Sequence, residues 1–256
     1  MNTRDNTKKV RTQTRRHGEE GGKSLLAEAS RFRRSIGTKN ESSLHKTLKF
    51  QYTGSGGRSE VEVGEYVADG IRRDGEYIEV QTGSFGPLRK KVKEFASRGK
   101  VRIIHPIAVN NKIEVFDTKG KLLYRRKSPV HGTLWNLFDA LLYAPELPLV
   151  KNVTIEVILA DITEKRVKDG KGAWQRKGIS KIDKELSAYH KNVIFTKKND
   201  FMCFIPFKKG MEFTVTSHAK ETGIKRDMSQ KVLYVLYKMK VIKRIGKKGN
   251  AWVYVR

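Results

Sequence analysis

The chain predicts an α/β protein, a mixed sheet flanked by helices, followed by a small basic domain of two helices and a hairpin. Three observations carry that expectation. Two short alternating strands, Val67–Ile71 and Tyr77–Val80, stand between helical segments. The runs Val101–Val109 and Val153–Ile162 are apolar almost throughout, as strands in a buried sheet are. The C-terminal segment turns to helical spacing and closes on a hairpin around Gly246–Asn250. At 256 residues the chain is long enough for one large or two ordinary domains with a real core. The expected division is a disordered basic tail at 1–22, a sheet domain at 23–150, an extension at 151–205 and a C-terminal domain at 206–256.

Each element has its own reason. Residues 1–22 are rich in Thr, Arg, Lys and Gly and hold almost no apolar side chains, so they are expected to be disordered, with Arg11, Arg15 and Arg16 able to brush phosphates. Ser24–Ile36 predicts a short helix with Leu25, Leu26, Ala29 and Phe32 on one face. A second helix runs over Ser42–Phe50, opened by Glu41 with Asn40 as N-cap and lined by Leu44, Leu48 and Phe50. His45, one turn beyond Glu41, could touch a site there, although a lone helical histidine is expected at the surface. The loop Gly54–Gly57 lacks the Lys-Ser/Thr ending of a phosphate-binding loop, and Glu60, Glu62 and Glu65 alternate along a solvated strand. Arg73-Asp74-Gly75 turns the chain between the two short strands.

After Gln81 the stretch Thr82–Gly86 is a turn, and Pro87 starts a helix to about Arg98 whose inner side is Leu88, Val92 and Phe95. Arg89, Lys90, Lys91 and Lys93 crowd its other sides, and Lys90 or Lys91 could lend charge to a nearby site. Lys112–Phe116 and Leu122–Arg125 predict a hairpin, Arg125–Ser128 a basic turn, and Thr133–Ala144 a helix ended by Pro145 and Pro148. Lys165–Gly178 predicts a polar hairpin with Trp174 among cations, Ile182–Tyr189 a helix and Val193–Phe195 a short strand. Beyond Phe213-Thr214 a short helix ends at Gly223, and a longer one from Arg226 to Lys240 buries Met228, Val232, Leu233, Leu236 and Met239. Strands Val241–Ile245 and Ala251–Val255 finish the chain.

The charge narrows the partners. Against 27 Asp and Glu stand 54 Lys and Arg, a net charge of +27, which points to a polyanion. Nucleic acid is the expected one, since no apolar run reaches the roughly 18 residues needed to span a bilayer. Residues 206–256 are the most basic stretch, with 13 Lys and Arg against three Asp and Glu. Cys203 is the single cysteine, so neither an internal disulfide nor a Cys-rich zinc site is expected. Met1–Asp5 is followed by no apolar segment of the secretory kind, and a cytoplasmic, nucleoid-associated setting is expected rather than secretion.

One stretch has the chemistry of an active site. In a hairpin over Tyr66–Gln81, Asp69 lies at the end of one strand while Glu79 and Gln81 share a face of the next. Oxygen ligands of this kind suit Mg²⁺ or Mn²⁺. Asp69, ten positions, then Glu79-Val80-Gln81 resembles the PD-(D/E)XK nuclease superfamily, with Gln81 where the motif usually has Lys. The resemblance implies a restriction-endonuclease-like fold over 23–150. It implies a metal held by Asp69, Glu79 and the Val80 carbonyl, with Glu41 assisting directly or through water, and Gln81 orienting water or a phosphate oxygen.

The C-terminal order of helix, glycine turn, longer helix and hairpin resembles a winged helix-turn-helix. Lys225, Arg226, Ser229, Gln230 and Lys231 would then form the recognition helix, and Lys247, Lys248 and Asn250 the wing. Arg89, Lys90, Lys91, Arg126, Lys127, Trp174 and Arg176 are the further expected nucleic-acid contacts. From about Glu41 onward the chain is also similar to an uncharacterised bacterial family with a nuclease-like N-terminal half, through Tyr66–Gly86, Arg126–Ser128, Gly170–Gly178 and Gly246–Asn250. The function expected is a metal-dependent DNA endonuclease. A non-catalytic DNA-binding regulator on a retired nuclease fold is the alternative, and RNA as substrate and a homodimer are left open.

Overall fold

A computed structural model describes residues 41–256. The basic tail, the helix over 24–36 and the Asn40 cap lie outside them, as does the side chain of Arg176. The described chain opens with helix α1 (Ser43–Thr53), capped by Ser42, whose Oγ accepts the His45 N–H at 3.3 Å. Strands β1 (Arg58–Val63), β2 (Tyr66–Ile71) and β3 (Tyr77–Val80) follow as an antiparallel meander. A 3₁₀ turn at Gly86–Leu88 feeds α2 (Arg89–Arg98), which carries the chain back so that β4 (Val101–Phe116) lies parallel to β3. Then come β5 (Leu122–Lys127), α3 (Leu137–Leu141), β6 (Val153–Lys168) and β7 (Ile179–Phe195). Together these strands form one seven-stranded mixed sheet in the order β1-β2-β3-β4-β6-β7, with β5 beside the far half of β4.

The sheet has a helix layer on each face. Leu44 and Leu48 of α1 pack on Ile78, Val80, Ile104 and Ile158. The opposite face, with Val101, Ile103, Val153 and Ile155, is covered by Val92 and Phe95 of α2 and by Leu137, Phe138 and Leu141 of α3. Alternation along β3 therefore sends Ile78 and Val80 toward α1, and Tyr77, stacked on Phe95, toward α2. Pro106 sits in the middle of β4 without breaking it. The last backbone bond from the β3 side is Gln81 N–H to the Ile104 carbonyl, so the edge where Pro106 would have donated carries no strand partner. Farther on, the Gly132 N–H closes onto the Ala108 carbonyl; a Cβ at Gly132 would come within 2.4 Å of that oxygen.

Four expectations are corrected. Ile182–Tyr189 is strand rather than helix, being part of β7 and paired with β6 along its length. The strands expected at Val101–Val109 and Lys112–Phe116 are one, β4, bent by an irregularity between Ala108 and Asn110. The boundary placed at 150 falls inside the sheet, since β6 and β7 extend it directly from β4. The helix expected over Thr133–Ala144 is a 3₁₀ turn at Leu134–Asn136 followed by the short α3.

The C-terminal part has its own sheet. A 3₁₀ segment (Lys198–Phe204) leads to β8 (Glu212–Phe213), α4 (Val215–Thr222), α5 (Arg226–Lys238), β9 (Lys243–Lys248) and β10 (Ala251–Val255), ordered β8-β10-β9. Thr214 caps α4, and Gly223 ends it with φ 69°, the left-handed conformation that glycine favours. This part is continuous with the rest. Phe204 meets Trp135 and Phe138 at ring-centroid distances of 5.1 and 4.7 Å, and the Lys231 ammonium pairs with Asp139 at 2.6 Å.

Gly70 shows how tightly α1 is set on the sheet. A Cβ there would lie 2.1 Å from Thr53 Oγ1, at the end of α1. Gly70→Ala is therefore expected to cost about 1–3 kcal/mol through overpacking. The urea-denaturation midpoint reads this directly, and a variant as stable as the wild type would show that Thr53 gives way freely.

Candidate functional site

The site forms where the β2–β3 ladder stops. Backbone pairing runs through Ile71↔Tyr77 and Gly70↔Ile78 and goes no further. The next two donors are taken by side chains instead: the Asp69 N–H by Glu79 Oε1 at 3.2 Å, and the Val80 N–H by Asp69 Oδ2 at 2.8 Å. Each carboxylate thus holds the strand that carries the other. Asp69 reaches the gap from the α1 side and Glu79 from the α2 side. Because Tyr77 and Gln81 direct their N–H groups toward β4 and Val80 directs its own toward Asp69, ladder alternation puts the Val80 carbonyl on the Asp69 side as well.

Basic side chains enclose the pair. His45 Nε2 lies 3.0 Å from Asp69 Oδ2 and 3.3 Å from Glu41 Oε1, bridging two of the expected site residues. Lys49, one further turn along α1, places Nζ 3.0 Å from the Glu41 carboxylate and 3.0 Å from Glu60. Lys91 Nζ is 2.7 Å from Glu79 Oε2. Gln81, on Glu79's face of β3, donates from Nε2 to the Ser84 carbonyl at 2.6 Å, and its own carbonyl lies 2.6 Å from His105 Nδ1.

The two central carboxylates titrate apart. Burial works against ionisation of Asp69, but the hydrogen bonds from His45 and the Val80 N–H, with the charges of His45 and Lys91, hold it below the usual carboxylate range. Burial and then the Asp69 charge push Glu79 up to about 7, in spite of the Lys91 ion pair. As pH rises, Asp69 therefore loses its proton first and Glu79 last. Buried His105 is shifted downward by desolvation and keeps a structural place behind Gln81.

The donors fit a hard divalent cation. Asp69, Glu79, Glu41 and the Val80 carbonyl offer oxygen atoms of the kind such an ion takes. Glu41 Oε1 is also buried without a well-aligned hydrogen bond, although His45 and Lys49 lie near it. Among the described residues no group of three His, Cys, Asp or Glu is already assembled as a metal shell, since these carboxylates are turned onto protein donors.

The expected nucleic-acid contacts divide. Lys90, Arg126, Lys127, Lys225, Arg226, Gln230, Lys248 and Asn250 are exposed. Trp174 is 91% exposed, on a loop pinned where Asp169 Oδ1 accepts from the Lys171 N–H and Ser180 Oγ. Lys247 is at the surface with Nζ 4.7 Å from the Trp252 ring. One is corrected. Ser229 is fully buried, bonded to His218 and to the Val215 carbonyl. The others are ion-paired: Lys231 with Asp139, exposed Arg89 with Glu146, and Lys91, 19% exposed, with Glu79. His45 is likewise in the site and not a surface residue. The signal for it was present, because Glu41, His45 and Lys49 are spaced i, i+4, i+8 on one helix stripe.

Residues 42–196 match the family model described as a domain of unknown function (DUF8091), which covers more than half of the chain. The chain belongs to that family. The matched segment begins at the cap of α1 and ends just past β7, so the DUF8091 stretch comprises the whole seven-stranded sheet and holds His45, Asp69, Glu79 and Lys91. An uncharacterized protein of Treponema pallidum (strain Nichols) is 26% identical over 163 residues, 64% of this chain and 65% of that protein. The match thus covers slightly less than two thirds of that relative's length. No solved structure matches. Among the described residues no helix is long and apolar enough to cross a membrane.

The raised Glu79 carboxyl makes a signed prediction for metal-free protein. Its proton is held more tightly in the folded state, so stability is greatest at low pH and falls as pH rises from about 4.5 to about 7. The loss is on the order of 3 kcal/mol. Glu79→Gln mimics the protonated form. In EDTA it should melt roughly 6–12 °C above wild type at pH 8 and level with it below about pH 5; parallel melting curves at both pH values would contradict the buried-charge account.

Proposed function

We propose that this chain is a metal-dependent endonuclease that hydrolyses DNA phosphodiester bonds, with the duplex held by the basic C-terminal part. The observation that carries the reading is the interlocked Asp69–Glu79 pair at the splayed ends of β2 and β3. The element order α1-β1-β2-β3-α2-β4, with β3 parallel to β4, supports it, since this is the order of the PD-(D/E)XK core that the Asp69…Glu79-Val80-Gln81 spacing resembles. The order β8-α4-α5-β9-β10, with β10 central, likewise supports a winged helix.

Asp69, Glu79 and the Val80 carbonyl would hold Mg²⁺ or Mn²⁺, with Glu41 assisting. Such a cation supplies Lewis-acid charge at a phosphate oxygen and lowers the pKa of water. The protein's own groups prepare the site. His45 fixes the Asp69 carboxylate through Oδ2, and the mutual backbone bonds keep the two carboxylates from swinging away. Gln81 holds the turn Thr82–Ser84 and so the approach of α2. At the start of α5, exposed Lys225, Arg226 and Gln230 would face the duplex, with Lys247, Lys248 and Asn250 as wing contacts. Exposed Trp174 offers a ring for stacking on a base or sugar.

The second reading, a DNA-binding regulator without catalysis, is favoured by one observation: Gln81 brings no cation, and the carboxylates are satisfied by protein donors. Supercoiled plasmid separates the two. Cleavage in Mg²⁺ or Mn²⁺ that stops in EDTA and falls at least about 100-fold in Asp69→Ala and Glu79→Ala supports the nuclease. Intact plasmid that is still shifted on a gel in EDTA supports the regulator.

Binding has its own expected behaviour. Affinity for duplex should fall steeply with salt, and Lys248→Ala should reduce the slope by about one. Trp174→Ala should weaken binding by about 1–3 kcal/mol with the salt slope unchanged. Fluorescence-anisotropy titrations at several salt concentrations measure both, and a Trp174→Ala protein that binds like wild type would remove the stacking role.

A further inference from the structure

We infer that Lys91, from helix α2, is a catalytic residue of this site, its ammonium contacting the scissile phosphate in the role for which Gln81 has no charge. The assignment rests on the nuclease reading and deepens it. Gln81 lies two residues after Glu79, so a cation there would stand beside the Glu79 carboxylate. Gln81 is neutral, and its side-chain N–H is spent on the Ser84 carbonyl at 2.6 Å. The position beside Glu79 is filled from another element, with Lys91 Nζ 2.7 Å from Oε2.

The fold places this ammonium deliberately. The turn after Gln81 is anchored by buried Phe85, whose N–H bonds the Ala140 carbonyl, and α2 starts from the 3₁₀ turn that follows. Of the four cations at the start of α2, Arg89, Lys90 and Lys93 are exposed. Lys91 alone of these turns to the site, with the Phe95 ring 5.7 Å away on one side. Its side chain is 19% exposed against 3% for Glu79. An ammonium carries three N–H donors, so one on Glu79 leaves two for an oxygen arriving from solvent. A lysine serving only to neutralise Glu79 would need no such opening.

The test compares wild type, Lys91→Gln and the relocation variant Lys91→Gln/Gln81→Lys, each checked for a cooperative melt. Single-turnover plasmid cleavage in Mn²⁺ is measured beside Mn²⁺ affinity by electron paramagnetic resonance and duplex affinity by gel shift. Lys91→Gln is expected to cut about 100-fold or more slowly while both affinities stay within about threefold of wild type. The relocation variant is expected to regain at least about tenfold of the lost rate. A rate within about threefold of wild type in Lys91→Gln, a loss that follows lost Mn²⁺ affinity, or a folded relocation variant with no regain would each overturn the assignment alone. Wild type that binds duplex without cutting it in either metal overturns the nuclease reading and this assignment together.

Discussion

The sheet depends on the pairing of β4 with β6, which runs from Val101↔Val153 to Phe116↔Val167 with one irregularity. No other strand contact is as long, except that of β6 with β7, which continues the same surface. Because β6 covers one edge of β4 for its full length, the other edge can be shared. β3 occupies its first four residues, the Gly132 loop crosses at Ala108, and β5 takes the rest. A strand only four residues long, β3, is thereby fixed parallel to the most buried part of the protein. Its C-terminal end, where Glu79 sits, inherits that rigidity.

The rigidity explains how a carboxylate as buried as Glu79 is tolerated. An unpaired charge at that depth would cost several kcal/mol. Two neighbours limit the cost: the Asp69 N–H, freed because the β2–β3 ladder ends early, and Lys91 from α2. Neither is local in sequence. α1 supplies His45 and Lys49 to the other half of the cluster, and its own position rests on Gly70, the residue after Asp69. The site is thus assembled from two helices pressed on opposite faces of the sheet, and joined through the gap between two strands.

Much of this was legible in the sequence. The strands bearing Asp69 and Glu79, their turn, and the helices on either side follow from period and turn chemistry, and so does the C-terminal order of helices and hairpin. β7 was not. Ile182, Leu186 and Tyr189 are spaced as a helical stripe, and much of the strand faces solvent, so period-two alternation is weak there. What decides it is pairing with β6, a contact that no local window contains. The break inserted into β4 at Asn110-Asn111 has a similar origin: two polar residues look like a turn, but β6 on one side carries the strand through as an irregularity.

The misplaced contact has a physical cause. Residue type alone places Ser229 outward, as a polar side chain, whereas it lies where α5 meets α4. Ser229 falls on the same stripe as Val232, Leu233 and Leu236, so its helical spacing already put it inside. In a chain with a net charge of +27, cations are so abundant that type alone carries little information. Carboxylates are the scarcer charge, and the buried ones mark where cations must be drawn inward. Starting from Asp69 and Glu79 and asking which lysines and histidines a fold of this order could bring to them leads to His45 on one helix and Lys91 on the other.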